Sequence, residues 1–240
     1  MKVLITSGGT KIKIDRVRSI TNMSKGTFGS QIADSFFYLN NGTDIDFLAA
    51  KGSKLPKTEI IDIFHTTVEE KFDSVNKSNL NYCFTSIPYV TFDDYEKTLF
   101  DLLKNNSYDV IILAAAVSDY GVENYVDGKI RSSSDEMIIK LKPLPKLISK
   151  VREVAPNSFI VGFKLLVDST EDELKQACID SMNKNKLNMI VGNDLRDIQK
   201  DNHTLTLGYW NNNQIKFEIK SKREVKLSDY LVNKILENFN

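Results

Sequence analysis

Val3-Leu4-Ile5-Thr6-Ser7-Gly8-Gly9-Thr10 is a short apolar run closed by hydroxyl residues and two glycines. It reads as a buried first strand ending in a loop. Outward from it, a polar segment over 11–24 leads into 26–39. There Phe28, Ile32, Phe36 and Leu39 recur at helical spacing, and Asn41-Gly42 marks the stop. Asp46-Phe47-Leu48-Ala49-Ala50 is a second strand and Ile60-Ile61-Asp62-Ile63-Phe64 a third. An amphipathic helix follows over 95–103, with Tyr95, Leu99, Leu102 and Leu103 on one face, and then the buried strand Val110-Ile111-Ile112-Leu113. Strands at 159–163 and 189–191 enclose a helix over 174–182, and 225–239 forms a closing helix. This alternation specifies an α/β protein with a doubly wound, mainly parallel sheet covered on both faces.

Two pieces break the rhythm. Met137, Ile139 and Leu141 alternate within 130–142, which suits an antiparallel strand on an excursion from the sheet. Leu205-Thr206-Leu207 and Ile215-Lys216-Phe217 flank Asn211-Asn212-Asn213 and read as a hairpin. With no internal repeat or linker, the expectation is one domain over 1–240, carrying a flap around 118–142 and a hairpin around 203–220.

Lys plus Arg number 32 and Asp plus Glu number 32, so the formal charge is zero. No nucleic acid and no membrane is therefore expected as a partner, since either would need a basic excess. An anionic small substrate needs only a local cluster of donors. Cys83 and Cys178 stand far apart beside apolar neighbours and read as reduced, half-buried thiols. The apolar N-terminal run is too short for a signal peptide and no later run reaches membrane-spanning length, so a cytoplasmic protein is expected. His65 and His203 lack companions at ligand spacing and read as structural.

In a doubly wound sheet, ligands bind beyond the carboxyl ends of the strands, near the point where strand order reverses. Four strand-end loops are informative. Thr6-Ser7-Gly8-Gly9-Thr10 offers backbone amides and hydroxyls to a phosphate, or is simply a tight turn. Ser19 to Gly29 places Asn22, Ser24, Lys25 and Gly26 at a helix N-terminus, where the dipole favours an anion. N-capping alone would also use such residues. Gly29 would let that helix approach the first strand. Ala114-Ala115-Ala116-Val117-Ser118-Asp119-Tyr120 leaves room for a flat ligand and offers Asp119 as an acceptor, with Gly128-Lys129 downstream in a polar loop. Val161-Gly162-Phe163-Lys164 ends a strand on an aromatic that could pack against a base or belong to the core.

Several of these segments together resemble one family. Ser7-Gly8-Gly9-Thr10, Ile14-Asp15-Arg16-Val17-Arg18, Ile20-Thr21-Asn22 through Gly26 and Gly29, Ala114 to Tyr120, Lys129-Ile130, Gly162-Phe163-Lys164-Leu165 and Gly192-Asn193-Asp194 occur in the order found in phosphopantothenate–cysteine ligases. The likeness covers essentially the whole chain except 54–105. It implies a Rossmann-like fold and a homodimer formed through antiparallel elements that project from the sheet. It also implies a reaction of coenzyme A biosynthesis, in which 4′-phosphopantothenate and L-cysteine are joined through an acyl-nucleotidylate. CTP is the favoured co-substrate and ATP the alternative, with Mg2+. Carried over, the resemblance makes Asn22 and Lys129 catalytic, Lys129 on a flap over the phosphates. It lines the nucleotide pocket with Gly8, Gly9, Ala115, Asp119 and Phe163, and adds Lys184 as a basic contact. Asp180 stands where some members carry a further lysine. Asn22, Ser24, Lys25 and Gly26 would face the substrate. Members are often fused behind a flavin-dependent decarboxylase; here the first strand begins at residue 2, so a stand-alone ligase is expected.

Two rivals remain open. A Rossmann oxidoreductase would want GxGxxG after the first strand and an acid ending the second, where Ala49-Ala50-Lys51 stands. A non-catalytic nucleotide-binding module could keep the pocket without the Lys129 flap.

Overall fold

The computed structural model describes residues 1–39, 42–57, 83–131, 136–199 and 202–239. In chain order the strands are β1 (Lys2–Ser7), β2 (Lys11–Lys13), β3 (Ser19–Thr21), β4 (Asp44–Ala50), β5 (Phe84–Tyr89) and β6 (Val110–Leu113). They continue with β7 (Tyr120–Val122), β8 (Leu141–Pro143), β9 (Phe159–Leu166), β10 (Met189–Asp194), β11 (Thr204–Asn211) and β12 (Gln214–Ser221). The helices are α1 (Thr27–Leu39), α2 (Phe92–Asn105), α3 (Ile148–Val154), α4 (Glu171–Asn185), α5 (Leu195–Gln199) and α6 (Leu227–Phe239).

β1 is apolar because strands pair with it on both sides, β4 and β6, each parallel to it. The main sheet has eight strands in the order β12-β11-β10-β9-β6-β1-β4-β5. Chain order runs outward from β1 to β4 and β5, then returns to β6 on the other side of β1. The reversal, where this fold class opens a crevice, thus lies between β1 and β6. Alternate residues of each strand serve opposite faces. Val3 and Ile5 pack under α1 (Ile32, Ala33, Phe36) and α6 (Leu231, Val232, Ile235). Leu4, Ile111 and Ile160 pack under α2 (Tyr95, Leu99), α3 (Val151) and α4 (Cys178, Met182). Capping boxes start two of these helices, from Thr91 with Asp94 in α2 and from Thr170 with Glu173 in α4.

The doubly wound α/β reading holds, and the helices at 26–39, 95–103, 174–182 and 225–239 are found with shifted ends. The expected strand at 60–64 and His65 lie outside the described residues. The excursion differs from its expectation. Met137 and Ile138 are exposed and carry no strand, and the ribbon pairs β7 with β8 instead. The segment read as merely polar, 11–24, contains the β2–β3 ribbon. Cys178 is buried and Cys83 exposed, both free, so only their reduced state matches the half-buried expectation. No helix among the described residues is long and apolar enough to cross a membrane.

The hairpin β11–β12 joins the sheet antiparallel to β10 and is tied to α6 through Glu218. Its carboxylate accepts the hydroxyls of Tyr209 and Tyr230 and pairs with Lys234 at 3.2 Å. The Tyr209 and then the Tyr230 hydrogen bonds hold Glu218 down at about 2. Its stabilisation is therefore complete above the ordinary value of 4.5 and is lost as pH falls toward 2. Glu218→Gln should cost about 1 kcal/mol at neutral pH, kept small because the carboxylate is partly solvated. It should also flatten the fall in urea midpoint between those two pH values. Parallel midpoint curves for variant and parent would remove Glu218 from the acid response.

Candidate functional site

At the reversal, the loops after β1 and β6 are joined by backbone. Ala116 N–H donates to Gly8 O at 2.8 Å and Thr10 N–H donates to Ala116 O at 3.3 Å. The hydroxyls expected to face a ligand are used here internally. Thr6 Oγ1 accepts from Ala115 N–H at 3.2 Å, and Thr10 Oγ1 accepts from Ser118 N–H at 2.9 Å. Ser7 Oγ donates to Gly26 O at 3.1 Å. The glycines are demanded by space and backbone. Gly8 and Gly26 have φ of 83° and 72°, and a Cβ on Gly8 would lie 2.6 Å from that of Ala50. A Cβ on Gly29 would collide with Ser7, which bears out the close approach of α1 to β1.

Asn22 closes this junction: its Nδ2 donates to Ala116 O at 2.9 Å while the side chain stays exposed. On one side of it opens a cleft of about 630 Å³, lined by Gly9, Asn22, Ser24 and Lys25 from the expected set. Lys11, Lys51, Gly52, Ser53 and Lys54 complete much of its wall. Among the described lining residues none is acidic, and the first turn of α1 has none either. Such a cleft favours an anion. On the other side lies a cavity of about 190 Å³ that brings Ala115, Asp119 and Phe163 together with Tyr95, Leu113 and Leu147. Asp119 forms an ion pair there with Lys146. Phe163 packs edge-on to Phe28 at 6.1 Å, and Phe28 meets His203 at 5.2 Å. His203 bonds Asn193 at 2.7 Å, which accords with a structural role.

Lys129 lines neither cavity and is exposed, yet its backbone is held on both sides. Arg16 N–H donates to Gly128 O at 2.9 Å, and Ile130 N–H donates to Asp15 Oδ2 at 3.1 Å. Arg18 bridges the same place, giving one guanidinium N–H to Asp15 at 2.7 Å and another bond to Ile130 O at 2.7 Å. Asp15 is 1% exposed. Burial opposes its charge, but the N–H groups of Ile130 and Val17 and the Arg18 guanidinium outweigh it and hold the carboxyl far below the usual range. Asp15 and Arg18 carried no role in the sequence reading; their pairing depends on a turn that spacing alone does not reveal.

Lys184 is not brought to this site. It lies in the last turn of α4, which leads back to the start of β10, and so stands at the opposite end of the sheet from Gly8. The pocket residues 51–54 were missed for a different reason: they follow β4 and look like an ordinary basic loop. Among the described residues no group of acids, histidines or cysteines could hold a metal ion on its own.

The model of the DNA/pantothenate metabolism flavoprotein C-terminal domain matches residues 1–98 and 91–238. The coenzyme A biosynthesis bifunctional protein CoaBC of Thermococcus kodakarensis is 31% identical over 206 residues, covering 86% of this chain and 44% of that one. Its counterpart from Haemophilus influenzae is 30% identical over 243 residues, covering 100% and 52%. The chain thus spans about half the length of these relatives. Among solved structures, the DNA/pantothenate metabolism flavoprotein from Streptococcus pneumoniae superposes with a TM-score of 0.73 at 29% identity, covering 99% of each chain. A Cab2 mutant in complex with phosphopantothenate-cysteine gives 0.75 at 24% identity, covering 99% and 86%, a likeness of fold. By sequence along nearly its whole length, and by fold, this chain belongs to the DNA/pantothenate metabolism flavoprotein C-terminal domain family.

Proposed function

We propose that this domain is a phosphopantothenate–cysteine ligase acting in coenzyme A biosynthesis. The observation that carries this reading is the Asn22 bond to Ala116, which sets a neutral amide between a lysine-lined cleft and the smaller cavity of Asp119 and Phe163. The coenzyme A role named for the CoaBC relatives accords with it. In the proposed reaction the carboxylate of 4′-phosphopantothenate attacks the nucleotide's α-phosphorus, and pyrophosphate leaves with the bond's electron pair. Cysteine's amine then attacks the acyl carbon, gives up a proton, and displaces the nucleoside monophosphate. CTP is the favoured nucleotide and ATP the alternative. Magnesium would enter with the triphosphate, and no step is assigned to a metal held by the protein.

Charge develops at phosphorus in the first step, so fixed donors near it lower the barrier. Lys129 supplies such charge from an anchored backbone, with Asp15 and Arg18 as positioning residues. Closure of the 118–142 segment over the phosphates would exclude water from the acyl intermediate. Tyr120, Tyr125, Met137, Ile138 and Leu141 are exposed apolar residues concentrated on that segment, a surface suited to a homodimer. The alternative reading is a nucleotide-binding module without catalysis, favoured only by the distance of Lys129 from both cavities.

Pyrophosphate release with CTP or ATP, magnesium and 4′-phosphopantothenate should require all three, with phosphopantothenoylcysteine formed only when cysteine is added. No release with either nucleotide would leave the module reading. Asn22→Asp replaces a donor by a charge facing Ala116 O and an anionic substrate. It should leave nucleotide binding largely intact while product formation falls about 100-fold or more; unchanged turnover would remove Asn22 from the mechanism. Asp15→Asn should lower kcat about 10- to 100-fold through Lys129. In a Lys129→Ala background it should cost little more, a coupling read from the double-mutant cycle. Additive losses would make Asp15 structural only.

A further inference from the structure

The turn from β5 into α2 lies in the stretch that the resemblance leaves out, yet its hydrogen bonds run to β1, to the start of β2 and to the loop after β4. Its backbone accepts from two of these: Lys51 N–H donates to Tyr89 O at 2.7 Å and Lys11 N–H to Val90 O at 3.0 Å. Two tyrosines on the same turn reach further. The Tyr89 hydroxyl donates to Ser7 O at 2.8 Å, and the Tyr95 hydroxyl donates to Thr6 Oγ1 at 3.4 Å. Their rings meet edge-on at 5.0 Å, and both residues are 2% exposed. The capping box of Thr91 and Asp94 fixes the start of α2, and with it the offset between the two rings. Tyr89 stands on β5 and Ser7 on β1 with β4 between them, so the side chain spans about 10 Å of sheet. Ala50, the partner of Tyr89 in register on β4, presents only a methyl group to that span.

Each tyrosine acts on a different link of the junction between β1 and β6. Thr6 Oγ1 also accepts from Ala115 N–H at 3.2 Å, so Tyr95 uses the second lone pair of the hydroxyl that holds the β6 loop. Ser7 O belongs to the peptide that enters Gly8, and a peptide is planar. Holding that carbonyl therefore sets the plane from which Gly8 turns with φ of 83°. Gly8 O then receives Ala116 N–H, and Ala116 O receives Asn22 Nδ2. Two short chains of hydrogen bonds thus lead from the tyrosines to adjacent residues, Ala115 and Ala116. Burial pushes both hydroxyls up, that of Tyr95 to about 12, so each stays a neutral donor at neutral pH.

We propose that Tyr89, with Tyr95 beside it, is a positioning residue for the reaction at Asn22, holding the end of β1 so that the Gly8–Ala116–Asn22 chain keeps its alignment. The link to turnover rests on the ligase reading; the tie to the junction rests on the hydrogen bonds alone. Tyr89→Phe keeps the ring and its packing and removes only the donor, leaving a buried carbonyl unpaired. The junction then loses its alignment without losing a contact to substrate, so the effect falls on kcat rather than on KM.

The test compares Tyr89→Phe with Tyr108→Phe, the same chemical change at the other end of the sheet. Tyr108 is buried too, and its hydroxyl donates to Asp46 Oδ2 at 2.6 Å ahead of β6. Steady-state kinetics with CTP or ATP, 4′-phosphopantothenate and cysteine, run beside thermal melts, separate the two variants. Tyr89→Phe should lower kcat about tenfold with each KM within about twofold of the parent. Tyr108→Phe should keep the parent kcat, although both variants melt earlier. Tyr95→Phe, which loses a longer bond, should lower kcat about threefold, and it stands in if Tyr89→Phe does not fold. Amide exchange read by mass spectrometry follows the tie without turnover. Exchange over 6–10 and 114–118 should quicken about tenfold in Tyr89→Phe and stay at the parent rate in Tyr108→Phe. A parent-like kcat in the tyrosine variants of the turn, or an equal loss in Tyr108→Phe, overturns the positioning role. If the parent itself shows no turnover, the ligase reading falls, and exchange alone decides the tie: unchanged rates over the junction overturn it.

Discussion

Ala116 O accepts two hydrogen bonds, from Thr10 N–H at 3.3 Å and from Asn22 Nδ2 at 2.9 Å. That one carbonyl joins three pieces of chain that are far apart in sequence: the end of β1, the end of β6 and the loop entering α1. The larger cleft, which Asn22 lines, opens toward the β4 loop, and the smaller cavity lies toward Phe163 on β9. The joint is possible because Gly8 adopts a positive φ and Gly29 lets α1 come down onto Ser7.

Electrostatics then divides the two sides. The cleft under β4 gathers lysines with no carboxylate among its described lining residues, whereas the cavity beyond Ala115 is mostly apolar and has its charge balanced by the Asp119–Lys146 pair. A polyanion is favoured on the first side and disfavoured on the second. The buried Asp15 serves the same arrangement from a distance. Its charge is sustained by N–H groups and by Arg18, and through Ile130 it sets the place of the Lys129 backbone.

Much of this was legible in the sequence because it rests on local signals. The unbroken apolar strand at Val110–Leu113 and the helical spacing of Phe28, Ile32 and Phe36 depend on burial alone, and both were read correctly. Gly8, Gly9 and Asn22 announced a strand-end loop with polar density beyond capping. What stayed hidden depends on pairing between distant segments. The β2–β3 ribbon lacks clear alternation, the strand β5 is an edge with only Phe84 and Tyr89 buried, and 51–54 joins the cleft wall only once Lys54 is bonded to Lys25. Lys184 rested on the resemblance alone; a helix that follows a parallel strand carries its last turn back to the far end of the sheet, and that is where Lys184 stands.

The central claim is that the carboxylate and the nucleotide meet across Asn22 to form an acyl-nucleotidylate. Turnover with 4′-phosphopantothenate labelled with oxygen-18 in its carboxylate tests it most directly, by mass spectrometry of the released phosphates. The account predicts one heavy oxygen in the nucleoside monophosphate and none in pyrophosphate. Heavy oxygen in inorganic phosphate, with a nucleoside diphosphate as co-product, would contradict it.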